Sequence, residues 1–581
     1  MNIKNSKKIG TSALKIAALC LVITLLTLSF YQNIFEVADM NSFNNWQNDS
    51  ESLVIGRLIK SRQSGLASDY GLLQSDSDWK TSNNFIKNNY VENFGIYTSQ
   101  IGLQGFIFGV IDRISPLSSS GTLKALYLLN SLLLAILIAM IALWTNKEFG
   151  FLSGIFLIIG CIFSPWLTFG AKNLYWVIWT MLLPFVVTLY LHWLEQRGTK
   201  INQWIFAISA FIVIFIRAAC GFEFITTFLI SIELPVIFYA LKNNWTKREY
   251  ILRSTWIGLG GITAFLAAFC VNIWQRTMHF GSFETALENM QANVYKRTGL
   301  FEAEVAEVYL TSLEQPLLKV INTYLRNGTS LLLDYRMDGL ISLLLILSVV
   351  LFVDKKYVPL INKDFNSLVS LAITIGISLI APISWFAFGK GHSAIHIHIN
   401  YITWYIPCVP LLLMLCGAVT SRAIKGFWDI YRHSWKRAAI LLCAFVIFIW
   451  PIYRFYQAWN WKENTHQAEQ IFSNATKVYD HESYEVYYYD NALYYKIDKD
   501  TCAFSKFFLH LVPKSTDDLP EQRIEHGFDN LDFSLAKVRL QLPFWKPFYF
   551  AIVNLPDYEI EEIMTGQYND SGRIWVTDFI L

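Results

Sequence analysis

The residues best suited to chemistry lie in short stretches of an otherwise apolar chain. "KGHSAIHIHIN", residues 390–400, contains Lys390 and three of the ten histidines, His392, His396 and His398. Converging imidazoles can ligate a metal ion, and with a lysine they can hold a phosphate group. A solvated turn at a membrane surface is the third interpretation. No Cys or carboxylate is adjacent, so the sequence establishes no cofactor and leaves a divalent metal as an open alternative.

Two acidic residues lie at the start of a predicted helix. Residues 46–65, "WQNDSESLVIGRLIKSRQSG", carry apolar side chains at helical spacing after an "NDS" stretch that can cap the helix. Asp49 and Glu51 would then lie in its first turn. There they can simply favour the positive end of the helix dipole. Alternatively, one of them can act as a general base that takes a proton from a hydroxyl group.

A basic residue ends one of the apolar runs. Arg217 lies in "IFIRAACGFEFITT", with Glu223 six residues further on. A charge beside a membrane span usually has a partner or a function. Arg217 can pair with Glu223, extend towards the lipid headgroups, or bind a lipid-linked phosphate, which suits the planar fork of a guanidinium group.

The composition places these side chains in a membrane protein. The chain is 54% hydrophobic and only 16% charged, whereas soluble proteins carry about 25% charged residues. Such a chain belongs in a bilayer. The net charge of +2 does not indicate a nucleic-acid partner, and none is expected.

Apolar runs of about 20 residues predict a multi-span α-helical fold. Short loops rich in Lys and Arg, such as "KNNWTKREYILR" and "DKKYVPLINKD", favour the cytoplasmic side by the positive-inside rule. The first span is predicted to be retained, with the N-terminus inside. The predicted spans are 13–32, 122–143, 149–168, 175–194, 203–219, 222–241, 254–274, 337–353, 366–388, 399–418 and 437–456.

This orientation predicts that the polar segments share the outer membrane surface. Residues 1–456 would form the transmembrane domain, with external loops at 33–121 and 275–336. The composition becomes mixed polar near residue 457, and "SYEVYYYDNALYYKI" alternates as strands do. Residues 457–581 are therefore predicted to form an extracytoplasmic α/β or α+β domain.

The first external loop resembles that of the GT-C superfamily of membrane glycosyltransferases, which includes the protein O-mannosyltransferases and the lipid A aminoarabinose transferase. The similarity lies in a first span, a short exit, acidic residues and an amphipathic helix, followed by a second amphipathic stretch, "YTSQIGLQGFIFGVI" at residues 97–111. In that superfamily an acid at this place is functional. Here the acidic pair is split, as "DSE", so the resemblance implies either Asp49 or Glu51 as the catalytic residue.

The resemblance implies a GT-C-like enzyme that moves a sugar from a polyprenyl-phosphate carrier to an extracytoplasmic glycan, lipid or protein, inverting the anomeric centre. Membrane lipids would surround it, and a bacterial cytoplasmic membrane with envelope polysaccharide synthesis is the expected setting. The alternatives are a transporter or flippase, and a non-catalytic component of envelope polysaccharide assembly. Phosphate or donor contacts are predicted from Arg217, Lys390, His392 and His396.

Overall fold

The computed structural model describes residues 3–433, apart from short gaps at 39, 67, 76–77, 328–330, 333–334 and 358–364. In the C-terminal part it describes residues 473–481, 484–489, 492–498, 507–512, 548–554 and 573–578. The chain divides into two compact units, Met1–Asp429 and Ile430–Leu581.

The first unit is helical. A short antiparallel pair, β1 (Leu72–Ser75) and β2 (Phe94–Tyr97), lies between helices α3 and α5 along the chain. The helices are α1 (Ile3–Gln32), α2 (Met40–Asn45), α3 (Asn48–Ser64), α4 (Asp78–Lys87), α5 (Leu103–Ile114), α6 (Ser119–Phe149), α7 (Phe151–Ile162), α8 (Pro165–Ala171), α9 (Trp179–Gln196), α10 (Gln203–Cys220), α11 (Ile225–Ser231), α12 (Leu234–Asn243), α13 (Lys247–Phe280), α14 (Phe283–Thr298), α15 (Glu307–Glu314), α16 (Leu317–Asn322), α17 (Met337–Tyr357), α18 (Phe365–Ser378), α19 (Ile380–Phe388), α20 (Lys390–Ile395), α21 (Ile397–Asn400) and α22 (Cys408–His433).

The described residues contain seven helical segments long and apolar enough to cross a membrane, which makes this a multi-span helical membrane protein. An eighth is obtained if α7 and α8, bent by 65° at their junction, count as one broken span. The seven segments are Lys15–Gln32, Ser119–Phe149, Gln203–Cys220, Ile225–Asn243, Lys247–Phe280, Asn366–Phe388 and Cys408–Lys425.

Five of the eleven predicted spans differ from this set or fall outside it, and the first of them, 149–168, is the bent pair α7 and α8. The run at 175–194 becomes α9, which is not apolar enough to be counted as a span. The run at 337–353 lies within α17, as predicted for a helix, and the side chains of α17 are described from Met337 to Leu351. The span predicted at 399–418 begins later, at Cys408, because the preceding residues form short helical turns. The span predicted at 437–456 lies outside the described residues.

Helix α3 confirms one predicted boundary and corrects another. It ends at Gly65 as predicted, where φ is 94° and the Gly65 N–H donates to the Ser61 carbonyl. The predicted side-chain cap is wrong. Gln47, in the left-handed conformation, precedes the helix, and no side-chain hydrogen bond caps its start.

Long helices pack through small residues. A Cβ atom at Gly260 of α13 would lie 2.2 Å from the carbonyl oxygen of Ala207 in α10, so only glycine allows this approach. Close backbone contact of this kind is typical of membrane helices. Helices α1, α7 and α9 pack against α6, which is therefore central to the unit.

The bundle has two chemically different ends. Tyr127 and Glu148 both belong to α6 and are separated along it by about 30 Å. Near Glu148, an ion pair joins its carboxylate to Lys242, and at the same end Arg253 of α13 pairs with Glu195. The chain segments near Tyr127 carry the sequence-predicted site residues. We call these the Tyr127 end and the Glu148 end.

Most of the described residues of the second unit lie in strands. One antiparallel sheet has the spatial order β3 (Thr476–His481), β4 (Tyr484–Tyr489), β5 (Ala492–Asp498) and β7 (Phe548–Asn554). A separate antiparallel pair consists of β6 (Phe507–Val512) and β8 (Arg573–Asp578).

Candidate functional site

A cavity of about 170 Å³ opens at the Tyr127 end of the bundle. Its volume of about 170 Å³ is below the roughly 300–1,000 Å³ of typical small-molecule sites. Aromatic, amide and charged side chains from four segments of the chain meet here. The lining residues are Phe43, Asn44, Trp46, Glu51, Tyr127, Phe169, Lys172 and Asn173.

Glu51 is the acidic group of this cavity. Only 7% of the residue is exposed. Its Oε1 accepts a hydrogen bond from the main-chain N–H of Leu174 at 2.8 Å, and its Oε2 accepts one from the Tyr127 hydroxyl at 2.9 Å. Burial raises the pKa of Glu51 to about 7, although both hydrogen bonds and the charge of Lys172 oppose that rise. A carboxyl group with this pKa can exchange a proton near neutral pH.

The structure separates the two acids that the sequence left as alternatives. Glu51 faces the cavity, whereas Asp49 is exposed. Residues two positions apart on an α-helix point about 200° apart, because each residue advances the helix by about 100°. One face of α3 therefore cannot present both carboxylates to the same cavity.

Lys172 supplies the positive charge of the cavity. Its ammonium group lies 3.3 Å from Asn44 Oδ1 and 3.6 Å from the centre of the Phe43 ring. Burial lowers the pKa of Lys172 to about 8, while the Glu51 carboxylate raises it. The site thus combines a carboxyl group that titrates near pH 7 with a cation that is mainly charged at that pH.

Asn173 shapes the loop that closes the site. Its Oδ1 accepts the main-chain N–H groups of Tyr175 and Trp176 at 2.9 and 3.0 Å, and its Nδ2 donates to the Trp46 carbonyl at 3.2 Å. These bonds hold the residues after α8 in a tight turn. The turn aims the Leu174 N–H at Glu51.

Arg217 lies beneath the same loop. It is 1% exposed and donates to the main-chain carbonyls of Trp176 at 3.3 Å and Glu223 at 3.2 Å. The predicted alternative of a carboxylate pair with Glu223 is not observed, because that carboxylate pairs with Arg297 at 3.4 Å. Its surroundings favour Arg217 as a structural link between two loops over a contact with phosphate.

A second group of charges adjoins this loop at Tyr175. We call Arg276, Lys296, Arg297 and His392, together with Glu223, the basic cluster. Arg297 interacts electrostatically with Glu223 and with the tyrosines Tyr97 and Tyr175. Burial lowers the pKa of Lys296, the charges of Arg297 and Arg276 lower it further, and the Glu223 carboxylate raises it. Two of the three cations, Lys296 and Arg297, come from α14, in the loop that the sequence predicted at 275–336.

The histidine stretch adjoins this cluster. A Cβ atom at Gly391 would lie 2.6 Å from the Lys296 carbonyl oxygen, so glycine allows α20 to lie against the end of α14. The ring of His392 lies 4.5 Å from that of His396 and is buried, while Lys390 is half-buried. Burial, then the charges of His396 and Arg297, hold the pKa of His392 well below its ordinary value.

The metal interpretation of the histidines gains no geometric support. Among the residues that the structure describes, no three His, Cys, Asp or Glu side chains are grouped so that they could hold a metal ion. The rings of His396 and His398 lie 5.9 Å apart at an interplanar angle of 71°. The stretch therefore contributes the buried imidazole of His392 to the basic cluster.

Residues 173–178 adjoin both groups of charges. Leu174 donates its N–H to Glu51, and Trp176, two residues later, accepts from Arg217. Between them, the hydroxyl of Tyr175 lies 3.4 Å from that of Tyr97, and the Tyr175 carbonyl accepts from Gln104 at 3.1 Å. Tyr175 also interacts electrostatically with Glu223 and Arg297, so the Glu51 cavity and the basic cluster both adjoin residues 173–178.

Sequence reasoning did not identify several residues of these groups as functional. Tyr127 is one of 29 tyrosines and carries no motif. Lys172 follows an apolar run in the polar stretch "AKN", which is a usable signal. Arg276, Lys296 and Arg297 lie in the predicted external loop at 275–336, for which no site residue was predicted.

The chain was also compared with known proteins. Searches against protein-family models, curated proteins and solved structures give no significant match.

Proposed function

We propose that the protein is an integral membrane glycosyltransferase of GT-C type, which transfers a sugar from a polyprenyl-phosphate donor to an extracytoplasmic glycan, lipid or protein. The observation that carries the proposal is the environment of Glu51. It is a buried carboxyl group with a pKa of about 7, beside a lysine, in a cavity at one end of a helical membrane bundle. An efficient general base has a pKa near the working pH.

The charge distribution supports an outward-facing site. The Glu148 end carries Lys242, Lys247, Arg248 and Arg253 around the start of α13. By the positive-inside rule this end faces the cytoplasm. The Tyr127 end then faces outwards, and the C-terminal domain is proposed to lie outside as well. Outside the cytoplasm nucleotide sugars are absent, so a lipid-linked donor fits the location.

The proposed reaction needs a base and a cation. The Glu51 carboxylate takes the proton of the acceptor hydroxyl, whose oxygen forms a bond to the anomeric carbon. The bond from that carbon to the phosphate oxygen breaks, and polyprenyl phosphate leaves with the bonding pair. Lys172 lies on the same cavity and would stabilise the charge that develops on the leaving phosphate. A single displacement of this kind inverts the anomeric centre.

Tyr127 and Leu174 position the base. Both donate hydrogen bonds to Glu51, and such bonds favour the ionised form of a carboxyl group. Burial favours the neutral form. The balance between them leaves Glu51 able to accept a proton at neutral pH and to release it after the transfer.

A transporter or flippase is the second candidate, and one observation favours it. Helices α7 and α8 form a span broken at Phe163 and Ser164, with a bend of 65°, and α8 ends beside the Glu51 cavity. Broken helices next to a polar site are typical of secondary transporters. The polar residues here lie at the end of the bundle, which favours the transferase.

The two candidates differ in what happens to the donor. Proteoliposomes containing the purified full chain would be loaded with a lipid extract that carries polyprenyl-phosphate sugars, and the lipids would be followed by mass spectrometry. A transferase produces free polyprenyl phosphate when an envelope-glycan extract is added. Movement of intact lipid-linked sugar across the bilayer, without its consumption, would support the transporter and contradict the transferase.

A further inference from the structure

The basic cluster carries more positive charge than its own acid neutralises. Arg276, Lys296 and Arg297 are three cations around one carboxylate, that of Glu223. Burial lowers the pKa of Lys296 to about 8, with Arg297 and Arg276 lowering it further and Glu223 opposing them. The cations therefore repel one another, and a bound anion would relieve that repulsion.

Polar atoms in and beside the cluster lack partners although they are buried. Arg276 is 1% exposed, and among the described residues its Nη2 has no hydrogen-bond partner. The same holds for Glu223 Oε2 and His392 Nδ1, in residues that are 5% and 8% exposed. Gln100 is 1% exposed, and both polar atoms of its side chain are unpartnered within the described part of the chain. Buried polar atoms are nearly always hydrogen-bonded, so a concentration of unpaired ones indicates a place for a polar ligand.

The cluster is also held in place. Arg276 Nε donates to Asn272 Oδ1 at 3.0 Å, and its Nη1 donates to Asn289 Oδ1. Arg297 Nη1 donates to the Asn293 carbonyl at 3.0 Å. These bonds fix one edge of each guanidinium group, as in a preorganised binding site. Arg297 still has 19% of its side chain exposed, which gives a ligand access.

We propose that the basic cluster binds a phosphate group, separate from the phosphate that leaves beside Lys172. Two guanidinium groups and an ammonium group match the charge and the several acceptor oxygens of a phosphate. No residue of the cluster lines the cavity that contains Glu51 and Lys172, so the two phosphates are assigned to separate places. Assigning the second phosphate to an acceptor substrate rests on the proposed function, whereas the binding itself does not. A phospholipid headgroup offers the same chemistry.

The test measures phosphate binding by the purified full chain in detergent, by isothermal titration calorimetry. The probes are inorganic phosphate and dihexanoylphosphatidate, with dihexanoylglycerol as the uncharged control. We expect saturable binding of at least one phosphate probe and none of dihexanoylglycerol. Saturation by inorganic phosphate points to a phosphate on the acceptor. Saturation by dihexanoylphosphatidate alone points to a lipid headgroup. Binding of neither phosphate probe overturns the proposal.

Variants test whether the phosphate probes bind at the basic cluster. Arg297→Gln and Lys296→Gln should each lower the affinity for the phosphate probes at least tenfold. Arg297→Lys, which keeps the charge, should lower that affinity less than threefold. Glu223→Gln should strengthen it, because the competing carboxylate is removed. The matched control is Arg248→Gln, an exposed arginine at the Glu148 end, which should bind as the wild type does. Equal binding by wild type, Arg297→Gln and Lys296→Gln would overturn the assignment to this cluster.

The result is independent of the proposed transfer chemistry. Glu51→Gln should bind the phosphate probes as tightly as the wild type does, because the partners of Glu51 are Leu174, Tyr127 and Lys172, none of which belongs to the cluster. If binding persists while no sugar transfer is found, the phosphate site stands and the proposed function fails. If transfer is found but the cluster variants bind normally, the phosphate site alone is rejected.

Discussion

The carboxylate of Glu51 accepts the main-chain N–H of Leu174 at 2.8 Å, although 123 residues separate them in the chain. This bond joins the first turn of α3 to the loop after α8. The same loop, through Trp176, is held by Arg217 of α10. The position of the acid is therefore determined by elements that are distant in sequence, and its pKa is raised by burial and lowered by Leu174, Tyr127 and Lys172.

Tyr127→Phe tests the hydrogen bond that stabilises the ionised form of Glu51. Removing the hydroxyl should raise the pKa of Glu51 further, so less of it is ionised at pH 7. Because the base must be ionised, transfer at pH 7 should fall about three- to tenfold, and activity should recover towards higher pH. The measurement is the pH–rate profile. Tyr190→Phe is the control, since that hydroxyl donates to the Met140 carbonyl, away from the cavity.

Lys172 should be needed for its charge. Lys172→Gln is expected to reduce transfer about 10- to 100-fold, since the developing phosphate charge loses its nearest cation. Lys172→Arg should retain more of the rate. Lys147→Gln, an exposed lysine at the Glu148 end, should leave it unchanged. The measurement is the initial transfer rate with a lipid-linked donor. Equal rates for Lys172→Gln and wild type would exclude a role of the Lys172 charge in transfer.

Stability should depend on pH through Glu51. Its folded-state pKa of about 7 lies above its ordinary value of 4.5, so the folded state holds the proton more tightly. The stabilisation from the neutral acid is full below about pH 4.5 and is lost as the pH rises through 7. Glu51→Gln should therefore be more stable than wild type at pH 8, by about 1–3 kcal/mol.

Thermal unfolding in detergent at several pH values measures this difference. Subtracting the Glu51→Gln curve from that of wild type removes the contributions of other groups, such as His392, which titrates in both proteins. A difference that stays constant from pH 5 to pH 8 would contradict the buried, titrating carboxyl group.

Arg217 is predicted to stabilise the folded state. Arg217→Met removes the donor to two buried carbonyls, those of Trp176 and Glu223, and should cost about 2–4 kcal/mol of stability. Arg197→Met, at an exposed position, is the control. The readout is the thermal midpoint together with donor binding. A variant that unfolds normally but no longer binds the donor would instead restore Arg217 as a phosphate contact.

The sequence predicted the membrane-spanning fold well, because a run such as residues 203–219 is apolar by itself and hydropathy is local. It placed Glu51 and the histidine stretch at a common surface through the alternation of loops. It could not choose between Asp49 and Glu51, since that choice depends on which face of α3 meets Tyr127 and Leu174.

Other features depend on contacts between distant segments. The pairing of Glu223 with Arg297 joins residues 74 positions apart, and no local pattern indicates it. The Arg217–Glu223 pair was the simpler sequence prediction, because the two residues are close along the chain. In the fold, the Arg217 guanidinium donates to the Glu223 main-chain carbonyl, and the Glu223 carboxylate pairs with Arg297 of α14.

The most direct test of the central claim compares Glu51→Gln with Asp49→Asn in cells that make the lipid-linked sugars. Envelope glycans would be analysed by mass spectrometry, with the protein level of each variant measured alongside. We predict that Glu51→Gln loses a sugar present in the wild type, while Asp49→Asn keeps it. Unchanged glycans in Glu51→Gln, at normal protein level, would contradict the role of Glu51 as the catalytic base.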